Sequence, residues 1–348
     1  MIYDVRYATV EDINLIIEFI DKHWKRNHAL VLSKKLLDFQ HLNPITNSYN
    51  FILAENKETK EIDALLGFIP TYQYDINLYQ EGDVWGAIWK VRRDVENAEI
   101  KELAVFLWEM YFNIPDSKTY AGIGLSSDAI KIYRATRNYV GVLNQYFIIN
   151  ENKSAFVIAK IDKSFVGSLR KINRVDNSKN AYIDDNLDIS GIDDDAVECS
   201  YKPKKTIVYL RNRYLLHPIY KYSFWGIYLE EKLVSVWVIR IVNINGSHAI
   251  RVVDIYGNIE CMPSLYDCFQ RILLKYDAEY IDLLNFGISE NVFKRIGFHK
   301  LDFSGPYVIP NYFEPFVREN IKLYFTYKSK QAYTIFKGDA DQDRPNII

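Results

Sequence analysis

The strongest constraint on the fold is a strand–helix unit that occurs twice. The first copy reads YAGIGLSSDAIKIYRATRNYVGVLNQYFII, from Tyr120 to Ile149, and the second YIDLLNFGISENVFKRIGFHKL, from Tyr280 to Leu301. Each opens on an apolar strand, passes a Ser-containing polar turn and enters a short amphipathic helix. Each then reaches an aromatic residue that opens another strand. The helix aromatics at equivalent places, Tyr133 and Phe293, lie a domain's length apart, which predicts two similar domains in one chain. Only the tyrosine carries a transferable proton.

A chain of 348 residues, 49% of them apolar, can bury a large core divided between two domains. Its formal charge of −2 and its pI near 6.3 leave no electrostatic footprint for nucleic acid or an acidic membrane as partner. Cys199, Cys261 and Cys268 have neither metal-ligand nor CxxC spacing, so buried thiols in a reducing cytoplasm are expected, with no disulfide and no metal. The N-terminal segment lacks the basic and apolar regions of a signal peptide, and no run approaches the roughly 18 apolar residues of a membrane span. Aromatic residues make up 15%, a surplus over packing that suits stacking on sugars or a nucleobase.

Periodicity orders the first half. Val5 to Ala8 reads as a strand. Thr9 is the expected N-cap, with Asp12 reaching back, before a helix whose inward face is Ile13, Ile16, Ile17 and Ile20. A polar break at 25–28 precedes a second helix from Ser33. A hairpin of 51–55 and 62–74, a strand over 84–93, and a helix over 96–112 come next, leading into the first copy of the repeat. In the second half, 224–229, 233–244 and 248–257 read as strands and 264–276 as a helix, before the second copy. The acidic run at 184–195 reads as a solvated loop, and the GDADQDRPNII tail as disordered.

This β-α-α-β-β-β-α-β-α-β order resembles the GNAT superfamily of acyl-CoA-dependent N-acyltransferases. The resemblance covers about 3–150 and again about 205–325. Its motifs are Phe293-x-x-x-Gly297-Phe298 in the second copy and Ser126-x-x-Ala129-x-x-x-Tyr133 in the first. It implies an α/β chain with mixed (α+β) sheets: two tandem GNAT-like domains, each a mostly antiparallel sheet with a splayed parallel strand pair, flanked by helices. The implied divisions are a catalytic, acyl-CoA-binding domain at 1–150, a connection at 151–204, a degenerate acceptor-binding domain at 205–335, and a disordered tail at 336–348.

In that superfamily the acyl-CoA lies between the fourth and fifth strands, and the acceptor amine attacks the thioester directly. The resemblance therefore implies an oxyanion donor on the backbone of Trp89, Lys90 or Val91, and Tyr133 as the general acid. Phe293 cannot donate a proton, so chemistry is expected in the first domain. Tyr133 could equally be a packing residue. Lys90, Arg92 and Arg93 end the fourth strand where an anionic cofactor should lie, although alternation puts 90 and 92 on one side and 93 on the other. The family's glycine-containing phosphate loop is replaced by RRDVENAE at 92–99, where Asn97 and side-chain cations are the substitutes, with Ser126 at the following helix. On the acceptor side stand Trp24 and His28 in HWKRNH, and Arg213 and His217 in RNRYLLH; His28 could relay a proton or cap a turn. Asp254 reads either as a buried paired carboxylate or as a proton acceptor. The tandem arrangement and these segments are similar to transferases that place acetyl or 3-hydroxybutyryl groups on dTDP-linked amino sugars for surface polysaccharides. A Fem-like aminoacyl transferase and a non-catalytic binding module are the competing readings.

Overall fold

The computed structural model describes residues 2–162 and 180–346. Its strands are β1 (Tyr3–Tyr7), β2 (Phe51–Asn56), β3 (Ile62–Pro70), β4 (Asp83–Val91), β5 (Thr119–Ile123), β6 (Tyr139–Val142), β7 (Asn144–Ile149), β8 (Ala181–Asp184), β9 (Ser223–Leu229), β10 (Lys232–Ile244), β11 (Ser247–Tyr256), β12 (Ala278–Phe286), β13 (His299–Lys300), β14 (Tyr312–Phe313), β15 (Phe316–Val317), β16 (Tyr324–Lys328) and β17 (Ile335–Phe336). The α-helices are α1 (Ile13–Phe19), α2 (Ala29–Leu32), α3 (Lys34–His41), α4 (Ile100–Tyr111), α5 (Ser127–Ala135), α6 (Ile207–Leu210), α7 (Tyr266–Lys275) and α8 (Glu290–Ile296).

Among the described residues, one mixed sheet runs β1-β2-β3-β4-β5-β16-β6 and a second runs β13-β7-β12-β11-β10-β9-β8, with β17 beside β12. Each holds one parallel pair, β4 with β5 and β11 with β12, in an otherwise antiparallel sheet. Helices α1 to α3 cover one face of the first sheet through Ile16, Phe19, Leu30, Leu36 and Leu37, and α4 covers the other through Leu103 and Leu107. The two sheets meet through a shared core that includes Trp85 and Ile123 from one and Val236 and Leu284 from the other.

The repeat folds as its sequence suggests. Both copies form a strand, turn on a left-handed glycine (Gly124, φ 77°; Gly287, φ 104°), and start a helix capped by a serine. Ser126 accepts from the N–H of Ala129, and Ser289 from that of Asn291. The strands beyond these helices depart from two self-contained halves. After β6 the chain crosses at Leu143, and β7 enters the second sheet between β13 and β12. In return β16, from the C-terminal part, lies between β5 and β6 in the first sheet. Each sheet is therefore completed by a strand from the other half.

The tail is the second departure. Residues 347–348 lie outside the described part, as do 163–179 of the expected connection. The remainder is packed, with Asp339, Asp341, Asp343 and Arg344 all buried. It was expected to be disordered, but each carboxylate meets a cation: Asp339 with Lys205 at 2.7 Å, Asp341 with Arg344 at 3.0 Å, and Asp343 with Arg240 at 3.0 Å. Paired charge can be buried where single charge cannot. At the N-terminus, the reach-back expected of Asp12 is present, but Thr9 does not cap α1. Asp12 adjoins α1, accepts from the Thr9 N–H at 2.7 Å and pairs with Arg6.

Candidate active site

Strands β4 and β5 pair for only four steps, Asp83 with Thr119 through Gly86 with Gly122. On the other side of β4, Gly86 stands opposite Phe68 but Trp89 opposite Leu66, so β4 carries one extra residue there. Such a bulge bends a strand and sharpens its twist. Beyond it β4 leaves β5, and a cleft opens between β4, α4 and α5.

The cleft has two connected compartments sharing Trp24, Trp89, Ser126 and Ala129. The outer one, about 420 Å³, runs from the end of β4 to the first turns of α4 and α5, with Lys90, Arg93 and Lys101 at its rim. The inner one, about 70 Å³, sits at the apex and is walled by Leu66, Gly86, Trp89, Tyr111, Gly122 and Tyr133. Tyr133 is buried, meets Trp89 edge-on with ring centroids 5.8 Å apart, and has no hydrogen-bond partner for its hydroxyl among the described residues. Burial pushes its phenol above the ordinary tyrosine value, so it is protonated at neutral pH. The buried indole N–H of Trp89 also lacks an acceptor there.

Strand β4 ends at Val91, so the chain turns before alternation can apply. Lys90 and Arg93 consequently come together at the cleft rim, where Arg93 pairs with Asp128 of α5 at 3.1 Å. Burial, followed by the Arg93 charge, lowers the Lys90 pKa. Arg92 is committed elsewhere, bonded to Glu61, Asp63 and Asp94. Asn97 is also committed: its amide donates to Tyr3 and its carbonyl accepts from the Ile100 N–H at 2.7 Å, starting α4. The cofactor-side residues that meet at the cleft are thus Trp89, Lys90, Val91, Arg93 and Ser126, with Arg92 touching its edge and Asn97 outside it.

The acceptor-side expectations change more. Trp24 stays, 40% exposed where the compartments join. His28 is fully buried; its Nδ1 accepts from the Leu30 N–H at 3.2 Å, capping α2, and its other nitrogen lies against Arg344. Burial first, then the Arg344 charge, pushes its pKa down to about 3. It is therefore a neutral structural cap rather than a proton relay. His217 repeats the device: its Nδ1 accepts from the N–H groups of Ile219 and Tyr220, and burial pushes it down to about 3. Arg213 is fully buried, donating to the carbonyls of Gly338 and Ala340 and lying over the Tyr74 ring at 5.0 Å. Asp254 takes the paired reading, bonded to Lys205 at 2.7 Å and to the Tyr214 hydroxyl at 2.8 Å. Arg213 and Asp254 hold the tail and do not face the open cleft. Both histidines come after a short π-helical stretch, Ile20–Trp24 and Arg211–Leu215, so the two segments picked out by sequence are equivalent turns of the two halves.

The second parallel pair separates after Val252 and Leu283, as the first does. There the opening is filled: β17 pairs with Asn285 and Phe286 of β12, and the Gly338 N–H donates to Val253 on β11 at 2.7 Å. The tail then passes the first half, with Gln342 against Gly124 and Arg344 at His28. Sequence reasoning missed this plug, and it missed Gly86, Gly122, Tyr111 and Lys101. Glycine inside a strand was the available signal for the first two.

A conserved protein of unknown function from Enterococcus faecalis V583, described as a probable N-acyltransferase, superposes on this chain with a TM-score of 0.52 at 8% identity, covering 94% of this chain and 72% of that one. The two share a fold. A GCN5-related N-acetyltransferase from Anabaena variabilis gives a TM-score of 0.49 at 8% identity, covering 93% and 72% of the two chains. Saccharomyces cerevisiae N-myristoyltransferase, with bound myristoyl-CoA, gives 0.45 at 8% identity, covering 96% and 80%. No protein-family model and no curated protein sequence matches the chain.

Proposed function

We propose that this chain is an acyl-CoA-dependent N-acyltransferase with one working cleft, the one between β4 and β5. The observation that carries the reading is the contrast between the two splays. The first is open, rimmed by cations and walled by Trp89 and Tyr133, whereas the second is occupied by the chain's own tail. The residues suit acyl-CoA, but not by a glycine loop. Residues 92–99 carry Asp94, Glu96 and Glu99, so phosphate groups belong on the side of Lys90, Arg93 and Lys101.

Acyl-CoA supplies an activated thioester as co-substrate. In the ternary complex the acceptor's neutral amine attacks the carbonyl carbon; a C–N bond forms, the C–S bond breaks, and the amine gives up a proton to water. Tyr133 holds a proton on its phenol oxygen, inside the apex, for the departing thiolate. Trp24 offers a face for a sugar or base to stack on at the compartment junction. Together with the resemblance of the tandem arrangement to amino-sugar transferases, this supports a nucleotide-linked amino-deoxy sugar as acceptor, acetyl or 3-hydroxybutyryl as the group moved, and surface polysaccharide synthesis in the cytoplasm as the setting. Free-thiol release from acetyl-CoA and 3-hydroxybutyryl-CoA, measured against a panel of dTDP- and UDP-linked amino sugars, tests it. Release dependent on one amino sugar is expected. Absence of release with every pair, together with no CoA binding, would overturn the enzymatic reading.

A further inference from the structure

Five glycines lie inside strands among the described residues: Gly67, Gly86, Gly122, Gly141 and Gly226. Glycine weakens a strand, so each asks for a reason. Three have one in packing. A Cβ at Gly67 would meet the Phe51 ring at 2.7 Å, one at Gly141 the Phe325 ring at 2.7 Å, and one at Gly226 the Tyr228 ring at 2.8 Å.

Gly86 and Gly122 have no such reason. Neither has a left-handed φ. A Cβ at Gly86 would find its nearest neighbours, in the Tyr111 ring, at 3.5 Å, and one at Gly122 would find Leu125 at 3.6 Å and Thr326 at 3.7 Å. These are ordinary contact distances, so the protein itself leaves room for a methyl group at both. The two are also register partners, facing each other at the last paired step before β4 and β5 part. Both line the inner compartment, and that compartment is the space their side chains would enter.

Tyr111 closes the compartment beneath them. Its hydroxyl donates towards the carbonyls of Val84 at 3.2 Å and Ala121 at 2.9 Å, one on each strand, and its side chain is fully buried. A ring held on both strands is a fixed stop. Leu66 and Trp89 make the apolar walls, and Tyr133 stands at the side. A slot of about 70 Å³ between Leu66 and Trp89, with cations outside and a fixed end inside, matches a short acyl chain on an anionic carrier.

We propose that Gly86 and Gly122 are the floor of an acyl slot, and that their missing side chains, with Tyr111 as the stop, set the chain length this cleft accepts: two to about four carbons. This rests on the acyl-CoA reading above and adds the residues that select the acyl group. Each added methyl should shorten the accepted chain, because it occupies slot volume without disturbing the protein.

The test is calorimetric titration of free CoA, acetyl-CoA and butyryl-CoA into wild type, Gly86→Ala and Gly122→Ala, with melting temperatures taken alongside. Expected is an unchanged or raised melting temperature in both variants and wild-type affinity for free CoA. Butyryl-CoA should be weakened about tenfold or more relative to free CoA. An unchanged butyryl-to-free-CoA ratio in both variants would overturn the proposal, and so would a marked drop in melting temperature, since the glycines would then serve the fold. Failure of wild type to bind any CoA species would instead remove the acyl-CoA reading itself, and the slot with it.

Discussion

A tyrosine becomes a candidate acid here through its surroundings. The sequence put Tyr133 on a short helix opposite Phe293, and the structure sets the two in different company. Phe293 packs at a tilt against Tyr146 inside a closed core, with ring centroids 4.4 Å apart, whereas Tyr133 borders the open apex. Replacing Tyr133 with Phe removes only the hydroxyl, which has no partner among the described residues. Turnover is expected to fall at least tenfold, with acyl-CoA affinity and melting temperature near wild type, read by thiol release and titration. Unaltered turnover would reduce Tyr133 to a packing residue. The same scale explains the misplaced histidines. His28 stands where a proton relay was expected and His217 where an acceptor contact was, but a histidine whose Nδ1 accepts backbone N–H groups in a buried turn is a cap, and sequence cannot distinguish these roles. Asp254 was ambiguous for a related reason: its partner Lys205 is 49 residues away in sequence.

Elements were far more legible than contacts. The hairpin of β2 and β3, the amphipathic helices α1, α4 and α7, and both repeat copies arise from periodicity, capping serines and turn glycines, all local signals. The exchange of β7 and β16 had no local signal, because a short apolar strand carries no mark of the sheet it joins. Nor did the plug of the second splay, whose three aspartates look solvated until their cations are known. The turn glycines lead to a prediction at this scale. Gly124 needs its left-handed φ, and a Cβ there would meet the Gln342 amide at 2.5 Å; Gly287 would meet the Tyr333 carbonyl at 2.4 Å. Alanine at Gly124 should therefore cost about 1–3 kcal/mol in chemical denaturation. Gly287→Ala should cost more, because its obstacle is backbone rather than the end of a flexible side chain. This is the reverse of the expectation for Gly86 and Gly122, so the four alanine variants separate glycines that serve the backbone from glycines that leave space for a ligand.

At the scale of the whole molecule, the tail ties the halves together by lying among buried histidines. His28, His41 and His217 surround it: His28 touches Arg344, and the charges of Asp341 and Asp343 act on His41 and His217. Burial, the largest cause in each case, lowers their pKa values from 6.5 to about 3, about 4 and about 3. The sign is set by where protons bind. Below pH 6.5 the unfolded chain protonates these rings, while the folded chain refuses the protons until pH 4 to 3. Stability from these groups is thus full above pH 6.5 and is lost progressively as pH falls through that window. Asp339 works the other way. Burial raises its pKa to about 6, so its ionised form costs stability at neutral pH, and protonation below pH 6 returns some of it. These three histidines, with His299, which burial also lowers to about 4, outweigh Asp339 and the burial-raised Asp83 and Asp282, and the melting temperature should fall by roughly 5 °C between pH 7 and pH 5. His28→Gln, which keeps an acceptor for the Leu30 N–H but does not titrate, should make that fall shallower while lowering the melting temperature at pH 7. Because each sheet contains a strand from the other half, the loss should occur as a single calorimetric transition at every pH. A flat profile between pH 7 and 5 would mean that the histidines around the tail are open to solvent, and that the tail does not clamp the two halves.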